Sequence, residues 1–425
     1  MLAAIVATVA FTQLSGPALL DDLSQRSFQF FWNETNAANG LTKDRAGNFA
    51  ADSYTIASIA SSGYALAADA IGAERGYVPR DQALARAKAA LSFLSSTKAA
   101  KAHGWFYHFV DYSTGARAWS SEASTIDTAI LVAGAVMASE FFKDPVLDLY
   151  LQRIVSAIDW NWMLTDDGTN TSHQFSLSWT PEHGFNSFRW TTLSEQTILY
   201  IEALGASSAT PADVWTKVNR PLITYAGRNE IQGGPLFMHE LSQGFLPLYG
   251  RRDSLGFDYT VEERNAVANA RQYCIDNPNH RAGYATNIWG LSAGDSPTGY
   301  EACGGPGWGV DDGTLNPAIA IAGVQYDYAD GQIVANSYLA KYPKAYGRYG
   351  FSNTINPGAN WIDQDVIGVD LGTMLLGIEN WRTGLPEALC GGNPMIQAGM
   401  QRAGFHATAE GYFSTRALVV QPSAP

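Results

Sequence analysis

The sequence predicts an all-α fold, an (α/α)6 barrel in which two concentric rings hold twelve helices. Two observations lead to this prediction. Apolar helices with little charge alternate along the chain with helices that have a polar face, and long loops precede the apolar helices while short loops follow them. A helix that is apolar nearly all round is buried, whereas an amphipathic helix lies on a surface. The apolar helices are therefore expected to form the inner ring.

Helical patterns begin with a loosely amphipathic segment, 19–32, and continue through twelve further segments. The twelve predicted helices are 52–70, 81–98, 122–142, 145–164, 193–204, 211–226, 238–248, 260–277, 314–324, 331–341, 367–381 and 394–403. Segments rich in Ala, Ile, Leu and Gly are assigned to the inner ring, namely 52–70, 122–142, 193–204, 314–324 and 367–381. Segments with a polar face are assigned to the outer ring, namely 81–98, 145–164, 211–226 and 260–277.

The long loops are expected to gather at one mouth of the barrel, because they all lead into inner helices. They are 99–121, 165–192, 278–313 and 342–366, and they contain many of the tryptophans. Alternating residues in 104–111 and 175–179 predict short hairpins there. Loops this long inside a compact domain are usually functional. An aromatic mouth suits an oligosaccharide, although the same rings could simply pack the loops onto the body.

The chain is expected to form one domain, residues 19–425, after a signal peptide at 1–18. An apolar stretch of about ten residues precedes the small residues of 15–18, as in a signal peptide, although the usual basic start is missing. This pattern predicts a secreted or periplasmic protein. No segment reaches the roughly 18 uninterrupted apolar residues that a membrane span requires, and we expect no span and a monomer.

Charge and motifs exclude several function classes. The chain has 27 basic and 40 acidic residues, a net charge of -13, and no basic stripe, which argues against nucleic-acid binding. No His-x-x-x-His pair, Gly-x-Ser-x-Gly elbow or phosphate-binding glycine loop is present, so neither metal nor cofactor is expected. Cys274 and Cys303 flank one long loop and could pair in an oxidising compartment, or all three cysteines, with Cys390, could be reduced.

Carboxylates at the heads of apolar helices are the candidates for chemistry, because a buried charge is costly there. Glu122 and Asp127 open one such helix, and Glu122 could serve only as a cap. Glu195 enters another helix, and burial would raise its pKa, as a general acid requires. The alternative is a capping box between Thr192 and Glu195. Asp370 stands at the head of the last inner helix.

Two further acidic positions have simpler interpretations. Asp312, beside Asp311 and before a glycine, could bind a cation but suits helix capping or loop bracing better. Glu379 lies near the far end of its helix and is expected to pair with an arginine such as Arg382. Paired carboxylates at an aromatic mouth suggest glycoside hydrolysis, which needs one protonated acid and one ionised carboxylate.

The chain resembles the endo-β-1,2-glucanases that have a glucoamylase-like domain, from about residue 20 to 405. The order of the matching stretches carries the resemblance, since no single stretch is specific. The stretches are 26–32, 40–45, 104–109, 124–129, 194–196, 234–239, 287–291, 311–314 and 378–384. A departure follows His239, where Glu240-Leu241-Ser242-Gln243 differs from the usual bacterial pattern.

The resemblance implies an anomer-inverting hydrolase that cleaves β-1,2-glucan to sophoro-oligosaccharides. It implies that Glu195 is the general acid and that Asp370 is the leading candidate for the base, with Asp127, Asp312 and Glu122 as rivals. In an inverting enzyme the two carboxyl groups lie about 6.5–9.5 Å apart, which leaves room for a water molecule. The expected substrate contacts are Glu122, Trp105, Tyr107, Trp119, Arg189, Trp190, His239, Trp289, Asp312 and Trp361.

Other functions remain open at this stage. The same fold could serve an exo-acting, sophorose-releasing hydrolase or a transglycosylase. A non-catalytic oligosaccharide-binding protein is the alternative from another class. A polysaccharide lyase is disfavoured, because the acidic balance repels uronates.

Overall fold

The structure, a computed structural model, describes residues 16–408 of the chain. Fourteen α-helices lie within these residues. They are α1 Pro17–Asn33, α2 Ile59–Glu74, α3 Arg80–Leu94, α4 Thr125–Phe142, α5 Pro145–Ala157, α6 Trp160–Thr165, α7 Thr197–Ala206, α8 Phe237–Phe245, α9 Tyr259–Asp276, α10 Pro317–Ala322, α11 Tyr328–Lys341, α12 Gly368–Arg382, α13 Leu385–Gly392 and α14 Pro394–Arg402. Three short 3-10 helices accompany them, at Ala212–Val214, Gly323–Gln325 and Pro343–Ala345.

Short strands fill the connections between the helices. They are β1 Thr42–Lys43, β2 Arg45–Gly47, β3 Ile56–Ser58, β4 Lys101–Ala102, β5 Trp105–Phe106, β6 Phe109–Asp111, β7 Ala123–Ser124, β8 Ser178–Thr180, β9 Gly184–Phe185, β10 Leu222–Tyr225, β11 Arg228–Ile231, β12 Arg251–Arg252, β13 Gly294–Ser296, β14 Gly299–Glu301, β15 Tyr346–Gly347, β16 Gly350–Phe351, β17 Ile355–Asn356, β18 Trp361–Ile362, β19 Asp365–Ile367 and β20 His406–Ala407. All their pairings are antiparallel, in sheets of two or three strands. The predicted all-α class is confirmed.

Helix contacts form a closed circuit. Helices α2, α4, α7, α8, α10 and α12 each touch the next, and α12 touches α2. Helices α1, α3, α5, α14, α9 and α11 lie against members of this circuit. In α4 and α7 nearly every residue is buried, as expected for helices without a polar face.

Glycines allow the helices of the circuit to touch backbone to backbone. A Cβ atom added at Gly134 of α4 would lie 1.9 Å from the carbonyl oxygen of Gly63 in α2. Gly205 of α7 and Gly399 of α14 form a second close crossing, since a Cβ atom on either glycine would lie 1.9 Å from a carbonyl oxygen of the opposite helix. Any side chain at these positions would force the helices apart.

Several predicted helix boundaries are wrong. The segment 211–226 is not a helix, because it holds one 3-10 turn and then a strand that pairs with β11. The helix that packs against α7 is α14, not the segment 211–226. The predicted helix 145–164 is divided at Asp159, whose side chain caps α6. Helix α13 was not predicted. The two segments with alternating residues contain the predicted strands, β5, β6 and β8.

Strands lead directly into three helices of the circuit. Strand β3 precedes α2, β7 precedes α4, and β19 precedes α12. Their sheets therefore sit at the N-terminal ends of these helices, where the long loops were expected to gather. Of the predicted leader, 1–15 lie outside the described residues, while Pro17 and Ala18 begin α1. The single domain 19–425 stays a prediction.

Within the described residues, one helix is long and apolar enough to cross a membrane, α4, and 83% of it is buried inside the protein. The three cysteines are free and buried, so Cys274 and Cys303 do not pair. No group of three or more His, Cys, Asp or Glu side chains among residues 16–408 is arranged to hold a metal ion.

Candidate active site

Three candidate carboxylates stand at the N-terminal ends of helices in the circuit. Asp127 lies in the first turn of α4, Asp370 lies in the first turn of α12, and Glu195 lies two residues before α7. Helix α4 begins at Thr125, because Ser124 accepts a hydrogen bond from the Asp127 amide as its N-cap. Glu122 is therefore outside the helix, contrary to the predicted start at 122.

Glu195 does not belong to a capping box. The neighbouring Gln196 side chain accepts hydrogen bonds from the Ser194 amide and hydroxyl, and it donates to the carbonyl oxygen of Thr192 at 2.7 Å. Ser242 of α8 donates to the carbonyl oxygen of Glu195 and ties this turn to the next helix. The interpretation of Glu195 as part of a capping box with Thr192 therefore does not apply.

Burial raises the pKa of the Glu195 carboxyl above its usual range. The negative charge of Asp127 raises this pKa further, whereas Ser194 and the nearby His239 lower it. The net effect favours the protonated form. That form can donate a proton to a leaving oxygen.

Asp370 is also buried, with 7% of its surface exposed. Burial raises its pKa to about 7, and the charges of Asp44 and Asp295 act in the same direction. Hydrogen bonds from Asn316 and Asn353 oppose this shift, because both amides stabilise the ionised form. A carboxyl with a pKa near the working pH is suited to accept a proton from water.

A histidine that the sequence analysis did not single out joins two of the candidates. His108 places Nδ1 2.9 Å from Oε1 of Glu122 and Nε2 3.4 Å from Oδ1 of Asp127. Burial alone would lower the pKa of this imidazole, but the two carboxylates raise it to about 9. Although burial acts to raise it, the pKa of Glu122 is lowered by its contact with His108. His108 therefore holds both acids in place as a cation.

A second ion-pair group lies within electrostatic reach of both His108 and Asp370. Arg45 contacts Oδ2 of Asp44 at 3.2 Å and Oδ2 of Asp295 at 2.6 Å. The amide of Gly368, at the start of α12, donates to the Asp44 carbonyl oxygen at 2.8 Å. Asp44 and Arg45 lie in one of the stretches that carry the family resemblance, but helix patterns could not reveal them, because both precede the first inner helix.

The predicted tryptophan contacts divide into buried and accessible rings. Trp105 and Trp289 are fully buried, so the prediction that they stack on sugar is wrong. Trp105 instead packs against Trp160 and Phe175 and anchors its loop to the core. Trp119 has 63% of its surface exposed. Tyr107, Trp190 and Trp361 are partly buried, which leaves part of each ring accessible.

Three polar candidates take part mainly in structural contacts. Arg189 donates to the Gln174 carbonyl oxygen and pairs with Asp166, which braces its loop. Asp312 accepts hydrogen bonds from the amide and hydroxyl of Thr314, as the capping interpretation requires. His239 is buried, with its Nδ1 3.4 Å from Oε1 of Glu262. Its charge also acts on Glu195, where it lowers the pKa of the carboxyl.

Comparison with known proteins agrees with this fold and with the resemblance seen in the sequence. The Glycoamylase family model matches residues 187–389. A curated exo β-1,2-glucooligosaccharide sophorohydrolase (non-reducing end) from Parabacteroides distasonis is 26% identical over 90% of this chain. The chain spans 57% of the length of that relative.

Solved structures show the same architecture. An endo-β-1,2-glucanase from Chitinophaga pinensis superposes with a TM-score of 0.82 at 25% identity, covering 93% of this chain and 99% of that one. An endo-β-1,2-glucanase from Talaromyces funiculosus superposes with a TM-score of 0.67 at 12% identity, covering 91% and 90%, which is a likeness of fold alone. The resemblance predicted from the sequence is confirmed.

Proposed function

We propose that this chain is a secreted, anomer-inverting hydrolase that cleaves β-1,2-glucan to sophoro-oligosaccharides on an (α/α)6 barrel. The closed circuit of six helices, with six more lying against it, supports the barrel. Relatives named for action on β-1,2-glucan support the substrate. The apolar start of the sequence supports secretion. We expect the enzyme to be a monomer.

One observation carries the proposal. Glu195 is free of the capping box, its pKa is raised by burial, and it lies within electrostatic reach of Asp127. In the proposed mechanism Glu195 gives its proton to the glycosidic oxygen as the bond to the anomeric carbon breaks. The ionised Asp370 accepts a proton from the water that attacks the opposite face of the sugar.

Asp127 is the rival for the base. The Asp127 carboxylate faces Nε2 of His108 and is attracted by the charge of that ring. The other ring nitrogen of His108, Nδ1, contacts Glu122. Both oxygens of the Asp127 carboxylate are already engaged, Oδ1 by His108 and Oδ2 by Ser124, so we favour Asp370 as the group that takes the proton from water. Asp127 then orients sugar hydroxyls and keeps the pKa of Glu195 high.

The test is product analysis on linear β-1,2-glucan with wild type, Glu195→Gln, Asp370→Asn and Asp127→Asn. Loss of the acid is expected to lower kcat by about 10²–10⁴-fold. Glu74→Gln, on the exposed end of α2 away from the mouth, is the matched control. NMR of the first product should show the α-anomer from β-linked substrate. Full activity of Glu195→Gln, or a retained β-anomer, would contradict the mechanism.

Exo action is the second candidate, because the curated relative is named as an exo-acting sophorohydrolase. An endo enzyme releases products of many lengths and lowers the viscosity of a long glucan early. An exo enzyme that removes sophorose yields only the disaccharide from the beginning. A time course of product lengths separates these actions, and elongated products would indicate transglycosylation. Binding without turnover, unchanged in Glu195→Gln, would indicate a non-catalytic binding protein.

A further inference from the structure

An aromatic series leads away from the acidic centre toward solvent. The His108 ring stacks on Phe109 at 3.7 Å between centroids, Phe109 lies 5.3 Å from Trp119, and Trp119 lies 6.2 Å from Tyr54. Within this series only Trp119 is widely exposed. The outer rings are therefore connected through His108 to Glu122 and Asp127 by one continuous set of contacts.

The loop that presents Trp119 is held firmly. Arg117 donates to the carbonyl oxygens of Ser120 and Ser121 and forms a two-pronged ion pair with Glu182 at 2.7 and 2.8 Å. Trp119 and Ser120 both adopt positive φ angles, near 52° and 54°, which non-glycine residues rarely do. A clamped, strained loop that exposes a large ring is expected where the ring has a binding role.

Trp119 forms one wall of a cavity of about 440 Å³. The cavity is lined by Trp119, Tyr54, Asp52, Arg45 and Asp365 together with small neighbouring residues, and we call it the Trp119 cavity. Its size falls in the range of small-molecule sites, as does its combination of ring faces with a few polar groups. Arg45 belongs both to this cavity and to the ion-pair group with Asp44 and Asp295, so one side chain links the cavity to that group.

The charge of the cavity selects the kind of ligand. Arg45 is already paired with Asp44 and Asp295, and Asp52 with Lys43, while Asp365 adds a further carboxylate to the lining. An anionic sugar would be repelled, whereas carboxylates accept hydrogen bonds from the hydroxyl groups of a neutral one. The aromatic face of Trp119 offers a surface for the C–H face of a pyranose ring.

We propose that the Trp119 cavity is a remote subsite that binds a glucosyl unit away from the cleaved bond and thereby sets the chain length the enzyme prefers. This inference rests on the proposed function and names a feature of its specificity. The loss of one stacking contact at such a subsite should reduce the use of long chains and spare the shortest ones, which do not reach it.

The experiment measures kcat/KM on β-1,2-gluco-oligosaccharides of increasing length for wild type, Trp119→Ala and Trp119→Phe. Trp119→Ala should lower kcat/KM about tenfold on long chains, corresponding to about 1.4 kcal/mol, and leave the shortest cleaved chain unchanged. Trp119→Phe should restore most of the activity on long chains. The control is Trp308→Ala, an exposed tryptophan that lines a different cavity. Loss by the same factor at every length, or no loss at any, would overturn the subsite.

Binding separates this proposal from the proposed function. Calorimetry with a long oligosaccharide compares Glu195→Gln with the double variant Glu195→Gln/Trp119→Ala, so hydrolysis does not intervene. A tenfold loss of affinity in the double variant supports the subsite even if wild type hydrolyses no β-1,2-glucan, which would defeat only the hydrolase assignment. Equal affinity overturns the subsite alone. No binding by either protein overturns both.

Discussion

At the scale of single residues, burial and charge assign different tasks to chemically similar groups. Asp370 and Glu195 lie in surroundings that raise the pKa of each carboxyl, while Glu122 lies against a cation that lowers its pKa. Asp370 and Glu195 therefore hold their protons to higher pH than Glu122 does. Such separation of pKa values is typical of acid–base catalysis.

Asp370 is expected to destabilise the fold as the pH rises. Its pKa is about 7 in the folded state and 3.8 as the ordinary value, so the unfolded chain loses this proton first. Stability therefore falls between about pH 4 and pH 7. Asp370→Asn should raise the free energy of unfolding relative to wild type by up to about 4 kcal/mol at pH 8, and by little at pH 3.5. Chemical denaturation at both pH values measures this difference.

Asp81→Asn, which removes an exposed carboxyl instead of a buried one, provides the control for that comparison. An Asp370→Asn variant whose advantage is the same at both pH values would mean that burial does not set the pKa of Asp370.

His108 is expected to act in the same direction but at higher pH, because its protonated form is the one that stabilises the fold. Its pKa rises from 6.5 to about 9 on folding, so its stabilising contribution is full below pH 6.5 and is lost as the pH passes 9. Wild type should exceed His108→Gln in stability by at most about 3 kcal/mol at pH 6, and the gap should close by pH 9.5. Thermal unfolding across this range tests the effect, with the exposed His406→Gln as control. A gap that stays constant with pH would indicate lost packing instead.

At the scale of elements, the glycine crossing between α2 and α4 limits what the circuit tolerates. Gly134→Ala would place a methyl group 1.9 Å from the carbonyl oxygen of Gly63. Both atoms at this contact belong to buried helices, so relief requires the helices to separate. We expect a loss of about 3 kcal/mol in the free energy of unfolding, measured by denaturant titration. Gly392→Ala, where an added methyl group meets nothing within 4 Å, should be nearly neutral.

The inner helices could be predicted because composition reports burial. Helix α4 reads as Ala, Ile, Leu, Val and Gly, and it is buried nearly throughout. The expected ion pair of Glu379 was also correct in kind, although its partner is Arg75 of α2 and not Arg382. The prediction of a helix over 211–226 was wrong. An amphipathic pattern does not reveal that this segment contributes a strand to a hairpin, or that α14 packs against α7.

The candidate site was predictable only in part, and for a related reason. Glu195 and Asp370 could be identified from the sequence because each is an acidic residue at the start of an apolar helix. Arg45 lies in a strand of only three residues, and the alternation around His108 predicts a strand without marking the histidine; the importance of both comes from contacts between distant parts of the chain, such as Arg45 with Asp295. Tryptophan content identified an aromatic mouth but could not separate the buried ring of Trp105 from the exposed ring of Trp119.

At the scale of the whole molecule, the free cysteines predict indifference to the redox state of the surroundings. Each thiol is at most 1% exposed, and burial raises the pKa of Cys303 to about 12. The melting temperature should therefore be the same with and without a reductant. A thiol reagent should react with three groups after unfolding and with none rapidly before it. A melting temperature that drops on reduction would mean that a disulfide forms.

The pairing of β2 with β19 has a consequence for how the protein is made. Arg45 lies opposite Ile367, and Asp44 contacts the first residue of α12, so residues more than 300 positions apart complete the acidic centre. A ribosome delivers the first of these long before the last. A nascent chain that ends before α12 holds Glu195 and Asp127 but lacks Asp370, and its exposed α2 has no partner on one side. Hydrolytic activity should therefore begin only after α12 has been synthesised.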